Sequence, residues 1–112
     1  MRNRPQRNNN PLNIRWAKQR EAVGPDKDGY AVFLIPEAGW RAAHHQIKID
    51  ADRGMDITQF IYKFAPPTEN ETDDYLTYVC RVMKCTILTP LAEISPYAIA
   101  GAMAQYEGYY AT

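Results

Sequence analysis

Glu107 stands among tyrosines, with Tyr106 directly before it and Tyr109 and Tyr110 shortly after it. An apolar, aromatic setting desolvates a carboxylate and raises its pKa, which is the property that a general acid in glycoside cleavage requires. Glu107 is therefore the first candidate catalytic residue. The alternative interpretation is a solvated acid close to a fraying C-terminus.

Activation of water at such a site would require a partner carboxylate. Asp28, Asp26 and Glu37 are the candidates, because they lie near the one predicted strand. Spacing in sequence does not choose among them. Glu37 also suits a plainer role, as a negative charge at the positive end of a helix dipole.

Four asparagines form a second group with binding chemistry: Asn8, Asn9, Asn10 and Asn13. Amides donate and accept hydrogen bonds together, so these side chains could bind the hydroxyl and acetamido groups of a sugar. Equally, they could satisfy the backbone of their own loop. Two tyrosines complete the candidate substrate-binding set: Tyr106 and Tyr109.

Other reactive residue types do not form a recognisable site. His44 and His45 are adjacent, and neighbouring side chains on a helix diverge by about 100°, so they cannot share one metal ion. We expect no metal and no cofactor. Cys80 and Cys85 lie five apart in one predicted helix, so their side chains should diverge and remain free, half-buried thiols.

The elements that must position these residues are mostly helical. Tyr30–Ile35 is a short aromatic and β-branched run that ends at Pro36, which predicts a strand. Pro36 suits the first turn of a helix, which should end before Gly54. Asp56 is the predicted cap of a second helix, and Ser95 with its following proline opens the last helix, which carries Glu107.

A third helix should follow the cap signal Thr68–Glu71 and run toward Cys85. A chain of 112 residues has room for one core. We expect that core to contain the apolar stripes of the predicted helices: Trp40, Phe60, Ile61, Phe64, Tyr75 and Val79.

Charge and composition divide the chain into two predicted parts. The formal net charge is zero, but the start is rich in arginine and poor in apolar residues. The sequence therefore predicts a basic extended arm at residues 1–13, of which Met1–Gln6 should be ordered only by a partner, and a single domain at residues 14–112. No apolar run approaches the roughly 18 residues that span a membrane, and no signal peptide is recognisable.

Four segments of the sequence, in order, resemble the motifs of one protein family. Arg7–Arg15 differs by one residue from R-N-N-N-P-G-N-I-R, the opening motif of a family of small phage virion proteins, and Asp28–Phe33 is similar to that family's D-G-x-A-x-F strand. Pro36–Ala42 resembles its S-P-E-A-G-x-R-A helix start, and Ala65–Thr72 its A-P-P-x-E-N-x-T turn. The asparagine segment is also loosely similar to the N-N-x-F-G-I-K segment of bacterial glucosaminidases of the lysozyme superfamily.

This resemblance implies a mainly α (α+β) fold, a compact lysozyme-like helical domain with one short strand or hairpin. It implies a virion protein, made in the host cytoplasm, with other virion proteins or copies of itself as partners. Leu12 replaces the family's glycine, and Tyr106–Tyr109 keeps only the acid of its H-E-N-G motif. The muralytic site is therefore expected to be degenerate.

Two other functions are compatible with the same residues. The first is an active virion-associated muramidase or lytic transglycosylase that acts on peptidoglycan during entry, with Glu107 as general acid. The second is a minor virion protein that contacts DNA through the basic arm, although the arm contains no recognisable nucleic-acid-binding module.

Overall fold

Helices and one small sheet make up the regular structure of residues 2–112, which the computed structural model describes. The chain is mainly helical with an α+β composition, as predicted. Within this part, the helices are α1 Arg4–Arg7, α2 Pro36–Asp52, α3 Ile57–Phe64, α4 Thr72–Met83 and α5 Pro96–Glu107. The strands are β1 Ala22–Pro25 and β2 Ala31–Phe33, and a 3-10 turn occupies Leu91–Glu93.

The chain forms two compact units. The first unit comprises the described residues up to His45 together with Met103–Thr112, and the second comprises Gln46–Ala102. The predicted boundary after Asn13 does not coincide with this division, because residues 2–13 belong to the first unit.

The start of the chain is not an extended arm. Asn3 and Gln6 form a capping box around α1, in which Asn3 Oδ1 accepts from the Gln6 amide at 3.1 Å and Gln6 Oε1 from the Asn3 amide at 3.0 Å. A helix of four residues is too short to persist alone. Asn3 Nδ2 donates to the Gly108 carbonyl at 2.7 Å, and such contacts with the last residues hold it. The extended-arm prediction is wrong for Arg4–Arg7, and Met1 lies outside the described residues.

The predicted strand is present at Ala31–Phe33 and pairs antiparallel with β1. Asp26 makes the turn between the strands, since its Oδ1 accepts from the Asp28 amide at 2.8 Å and the Tyr30 amide at 2.9 Å. Gly29 follows with φ +92°, a conformation that favours glycine.

Three helices begin where their capping residues predict. α2 starts at Pro36, α3 has a capping box formed by Asp56 and Gln59, and Ser95 Oγ accepts from the third residue of α5 at 3.3 Å. The fourth helix, α4, begins at Thr72, directly after the predicted cap signal Thr68–Glu71, although its N-cap residue Glu71 makes no side-chain cap hydrogen bond.

The C-terminal end of α4 corrects one prediction about the cysteines. The helix ends at Met83, and Lys84 adopts the left-handed conformation with φ +56°. Cys85 is therefore not part of the helix, and the argument that the two cysteine side chains diverge is wrong. Both thiols are free and half-buried, as predicted.

Each unit has its own buried apolar residues. In the second unit, Phe60, Ile61, Tyr75 and Val79 are buried, and the Phe64 ring lies 6.0 Å from that of Phe60. Trp40 departs from the predicted shared core, because it lies in the first unit. No helix within residues 2–112 is long and apolar enough to cross a membrane.

Candidate functional site

All the residues that the sequence predicted for a site lie in the first unit. These are the acids Asp28, Glu37 and Glu107, the asparagines Asn8, Asn9, Asn10 and Asn13, and the tyrosines Tyr106 and Tyr109. A candidate site is therefore built from the asparagine loop, α1, the start of α2 and the last residues of the chain.

Asn10 is a structural residue of the loop. Its side chain is 1% exposed, and Nδ2 donates to the carbonyl oxygens of Ile14 and Ala31, both at 2.9 Å. Its Oδ1 accepts from the Ile14 amide at 2.9 Å. Both amide hydrogens and the carbonyl oxygen are thus engaged with the backbone, so the prediction that Asn10 binds substrate is wrong.

The same loop covers the free edge of β2. The Ala31 amide donates to the Ile14 carbonyl at 3.0 Å, and the Phe33 amide to the Asn8 carbonyl at 2.8 Å. An uncovered strand edge would leave these groups open to pairing with another chain. The loop therefore replaces a third strand.

Backbone conformation explains why asparagine recurs here. Asn9 and Asn13 have φ of +50° and +55°, and asparagine tolerates the left-handed region better than most residues. Leu12, at the position where the resembled family has glycine, is not among the left-handed residues and is buried, 1% exposed.

Asn8 is also committed to internal contacts. It is 6% exposed, and its Nδ2 donates to Asp26 Oδ2 at 2.9 Å. Burial alone would raise the pKa of Asp26, but hydrogen bonds from the Tyr30 amide, from Asn8 and from the Asp28 amide together hold that pKa below its ordinary value. Asp26 is therefore an anion that organises the hairpin turn, the opposite of a general acid.

Asp28 forms an ion pair with an arginine. Its Oδ2 lies 3.1 Å from Arg4 Nη2, and the guanidinium of Arg4 lies 4.2 Å from the centre of the Tyr30 ring. The guanidinium of Arg15 is 4.6 Å from the same ring centre. Asp28 thus belongs to an exposed network of charges and a ring at the hairpin.

An open groove of about 490 Å³ lies in this unit, lined by Arg2, Gln6, Asn9, Tyr109 and Ala111. Gln6 Nε2 donates to the carbonyls of Tyr109 at 3.1 Å and Ala111 at 2.6 Å. The wall of the groove therefore consists of amide groups and the chain's last residues.

Close packing fixes the loop beside α2. A Cβ atom at Gly39 would lie 1.9 Å from the carbonyl oxygen of Asn9, so only glycine permits this approach. Asn9 Nδ2 donates to the Phe33 carbonyl at 3.0 Å. Of the four predicted asparagines, Asn9 is the one that lines the groove.

An aromatic cluster adjoins the groove through Tyr109. The ring centres of Tyr109 and Trp40 are 5.7 Å apart in an edge-to-face arrangement, and Tyr110 lies 5.3 Å from Tyr109. His44 stacks on Trp40 at 5.9 Å. Burial lowers the pKa of His44, which keeps its ring neutral at neutral pH.

Tyr109 remains a hydrogen-bond donor at neutral pH. Burial raises the pKa of its hydroxyl above the ordinary value, with smaller contributions from Tyr110 and Glu37. Glu37 itself is exposed in the first turn of α2, as the plainer interpretation expected. Glu107 is half-buried at the last residue of α5, and Tyr106 is 38% exposed.

These groups suit binding by stacking and hydrogen bonds more than acid catalysis. Trp40, Gln6 and Arg2 are the contributors that sequence reasoning missed. Trp40 falls on the apolar stripe of its helix, and the other two lie in a segment with no apolar pattern. The spacing of Asn3 and Gln6 is that of a capping box, and this pattern could have predicted α1 and so placed Gln6.

Within residues 2–112, no cluster of three or more histidine, cysteine or acidic side chains could hold a metal ion. In comparisons with known proteins, the chain matches no family model and no curated protein sequence.

Proposed function

We propose that the chain is a structural component of a bacteriophage virion, made in the host cytoplasm and built on a lysozyme-like domain whose muralytic site is degenerate. The motifs at Arg7–Arg15, Asp28–Phe33, Pro36–Ala42 and Ala65–Thr72 support the virion assignment. One structural observation carries the non-catalytic part: the Asn10 side chain, 1% exposed, spends its hydrogen-bonding capacity on the backbone of its own unit.

The carboxylates support the same conclusion. Asp26 has a lowered pKa, and Asp28 is paired with Arg4. A hydrolase of this class needs an acid with a raised pKa facing a second carboxylate or a water. The hairpin instead uses both acids to hold its turn and α1 together.

Exposed apolar side chains near the hairpin favour protein partners, either other virion proteins or further copies of the chain. Leu34 is 76% exposed and Val23 58% exposed. Exposed apolar side chains that form a contiguous patch mark protein–protein interaction sites.

A second candidate function is an active peptidoglycan hydrolase. The observation that favours it is the aromatic cluster of Trp40, Tyr109 and Tyr110 beside a groove lined by amides. Sugar rings stack on aromatic faces while their hydroxyl and acetamido groups hydrogen-bond to amides. In that case Glu107 would be the general acid.

A DNA-contacting role is the weaker alternative. Arg4 pairs with Asp28, and Arg7 Nη1 donates to the Arg2 carbonyl at 2.9 Å. Arginines engaged in this way offer fewer free charges to phosphates.

Mass spectrometry of purified particles of the encoding phage tests the virion assignment. We expect the chain's peptides to remain with particles after treatment with nuclease and high salt. A zymogram on purified peptidoglycan separates the two leading functions. Absence from particles contradicts the structural role, whereas robust hydrolysis by the isolated chain favours the enzyme.

A further inference from the structure

The end of α4 is a helix-terminating motif that folds the chain back over the last turn. Lys84 is left-handed, and its amide donates to the Arg81 carbonyl at 3.4 Å. The Cys85 amide donates to the Cys80 carbonyl at 3.0 Å. This pair of hydrogen bonds defines the Schellman motif, in which the second residue beyond the helix contacts the residue five positions earlier.

Cysteines occupy both contacting positions of this motif. Cys80 stands in the last turn of α4 and Cys85 just beyond Lys84, and the main-chain hydrogen bond from the Cys85 amide to the Cys80 carbonyl holds the two residues side by side. Both are free and half-buried in the second unit. A left-handed residue between them therefore does what an unbroken helix could not, since it brings together two cysteines that helical spacing would separate.

We propose that Cys80 and Cys85 form a reversible intrachain disulfide that locks the C-terminal end of α4. The oxidant is a small-molecule disulfide. One cysteine thiolate attacks it, forming a mixed disulfide and releasing one thiolate. The other cysteine thiolate then attacks the protein sulfur of that mixed disulfide, forming the Cys80–Cys85 bond and releasing the second thiolate. The two protein thiols lose two electrons and two protons, and the small disulfide is reduced to two thiols.

The surroundings make this bond slow to form at neutral pH. The pKa of the Cys80 thiol is raised to about 11, mainly by burial and to a smaller extent by the neighbouring Cys85. Because the thiolate is the attacking species, closure should accelerate as the pH rises. The reduced thiols should therefore survive brief contact with the oxidant, and the disulfide should be complete only after long exposure.

The lock would act on an exposed turn. Ile87 and Leu88 follow Cys85 and are 55% and 73% exposed. The turn is tied to α3 through Thr58 Oγ1, which donates to the Ile87 carbonyl. A disulfide at Cys85 would tether the other end of the turn to α4. The oxidation state of the two cysteines would then control how rigidly this exposed apolar turn is held.

Incubation of the full chain with oxidised and reduced glutathione tests the proposal. We expect both free thiols to disappear together, with a mass loss of two hydrogen atoms and no dimer. The oxidised chain should melt about 5 °C higher than the reduced chain, because closing the loop removes conformations from the unfolded state. Cys80→Ser and Cys85→Ser should each stop at one mixed disulfide with glutathione.

Variants at Lys84 test the geometry without removing a thiol. Lys84→Gly keeps the left-handed conformation and should close at least as readily. Lys84→Val should lower the equilibrium constant for closure about tenfold, because a branched side chain resists that conformation. Circular dichroism of both variants checks that the helices are intact.

Three results would overturn the proposal: two thiols that stay reduced under oxidising glutathione at pH 9, glutathione added separately to both cysteines, or disulfide-linked dimers as the main product. Equal closure in Lys84→Gly and Lys84→Val would show that the motif does not position the thiols. An oxidised chain that melts no higher than the reduced chain would contradict the lock.

Discussion

The side-chain amide of Asn10 donates to the main-chain carbonyl oxygen of Ala31 at 2.9 Å, in a position where Asn10 is 1% exposed. A loop residue thus supplies the hydrogen bond that a neighbouring strand would otherwise give to β2. A residue type that suggests sugar binding in sequence is here part of the sheet's edge.

Replacing Asn10 with alanine should destabilise the protein by about 3 kcal/mol, because it leaves buried backbone groups of Ile14 and Ala31 without partners. Chemical denaturation measures the loss. Asn70→Ala is the matched control, since Asn70 bonds to the Pro66 carbonyl on the surface, and should cost less than about 0.5 kcal/mol. Equal losses in the two variants would contradict the structural role of Asn10.

Phe60→Ala should lower the free energy of unfolding by about 3–5 kcal/mol, because Phe60 is 1% exposed and its removal leaves a cavity. Val82→Ala in α4, where the side chain is 46% exposed, should cost far less. Equilibrium unfolding in urea measures both. A loss under about 1 kcal/mol for Phe60→Ala would place the side chain outside the core.

Gln6→Ala should loosen both ends of the first unit, because Gln6 caps α1 and donates to the carbonyls of Tyr109 and Ala111. Hydrogen exchange should accelerate about tenfold at the Tyr109 amide and in α1, with little change in α3. Gln105→Ala, at an exposed position of α5, provides the control. Unchanged exchange at Tyr109 would mean that Gln6 does not hold the last residues.

His44 should make stability depend on pH in the mildly acidic range. Burial lowers its pKa in the folded chain below the ordinary value of 6.5, so the unfolded chain takes up the proton first. The contribution is fully present above pH 6.5 and is lost as the pH falls below it. We expect a decrease of less than about 1 kcal/mol toward pH 5, since the ring is partly solvated.

Thermal melts from pH 8 to pH 5 would measure this dependence. His44→Gln should flatten the profile in this range, whereas His45→Gln, at the exposed neighbouring position, should retain it. A profile that flattens only in His45→Gln would show that the proton is taken up by His45, and would contradict the assignment to His44.

Glu107→Gln tests the alternative enzyme directly. If the chain is structural, the wild type and the variant should both be inactive on peptidoglycan and should melt within about 2 °C of each other, because the amide preserves the shape of the acid. Turbidity loss of a cell-wall suspension is the measurement. Hydrolysis by the wild type that disappears in Glu107→Gln would make the enzyme the leading function.

The sequence by itself determined most of the regular structure. Pro36, Asp56 and Ser95 mark helix starts because proline geometry and side-chain caps act over one turn of backbone. The strand at Ala31–Phe33 follows from a β-branched and aromatic run that ends at a proline. Such signals are local, so they can be read without the fold.

Only the tertiary structure decided the roles of the remaining residues. Asn10 could bind a sugar or a backbone, and the choice depends on Ala31, which is 21 residues away. α1 is too short and polar to form from its own sequence, and it depends on bonds to Gly108 and Tyr109. Cys85 meets Cys80 because Lys84 adopts a left-handed conformation that its residue type does not favour. In each case the contacting residue is distant in sequence, or the backbone conformation is unfavourable for the residue that adopts it. The contacts of the whole folded unit therefore stabilise an arrangement that local sequence does not favour.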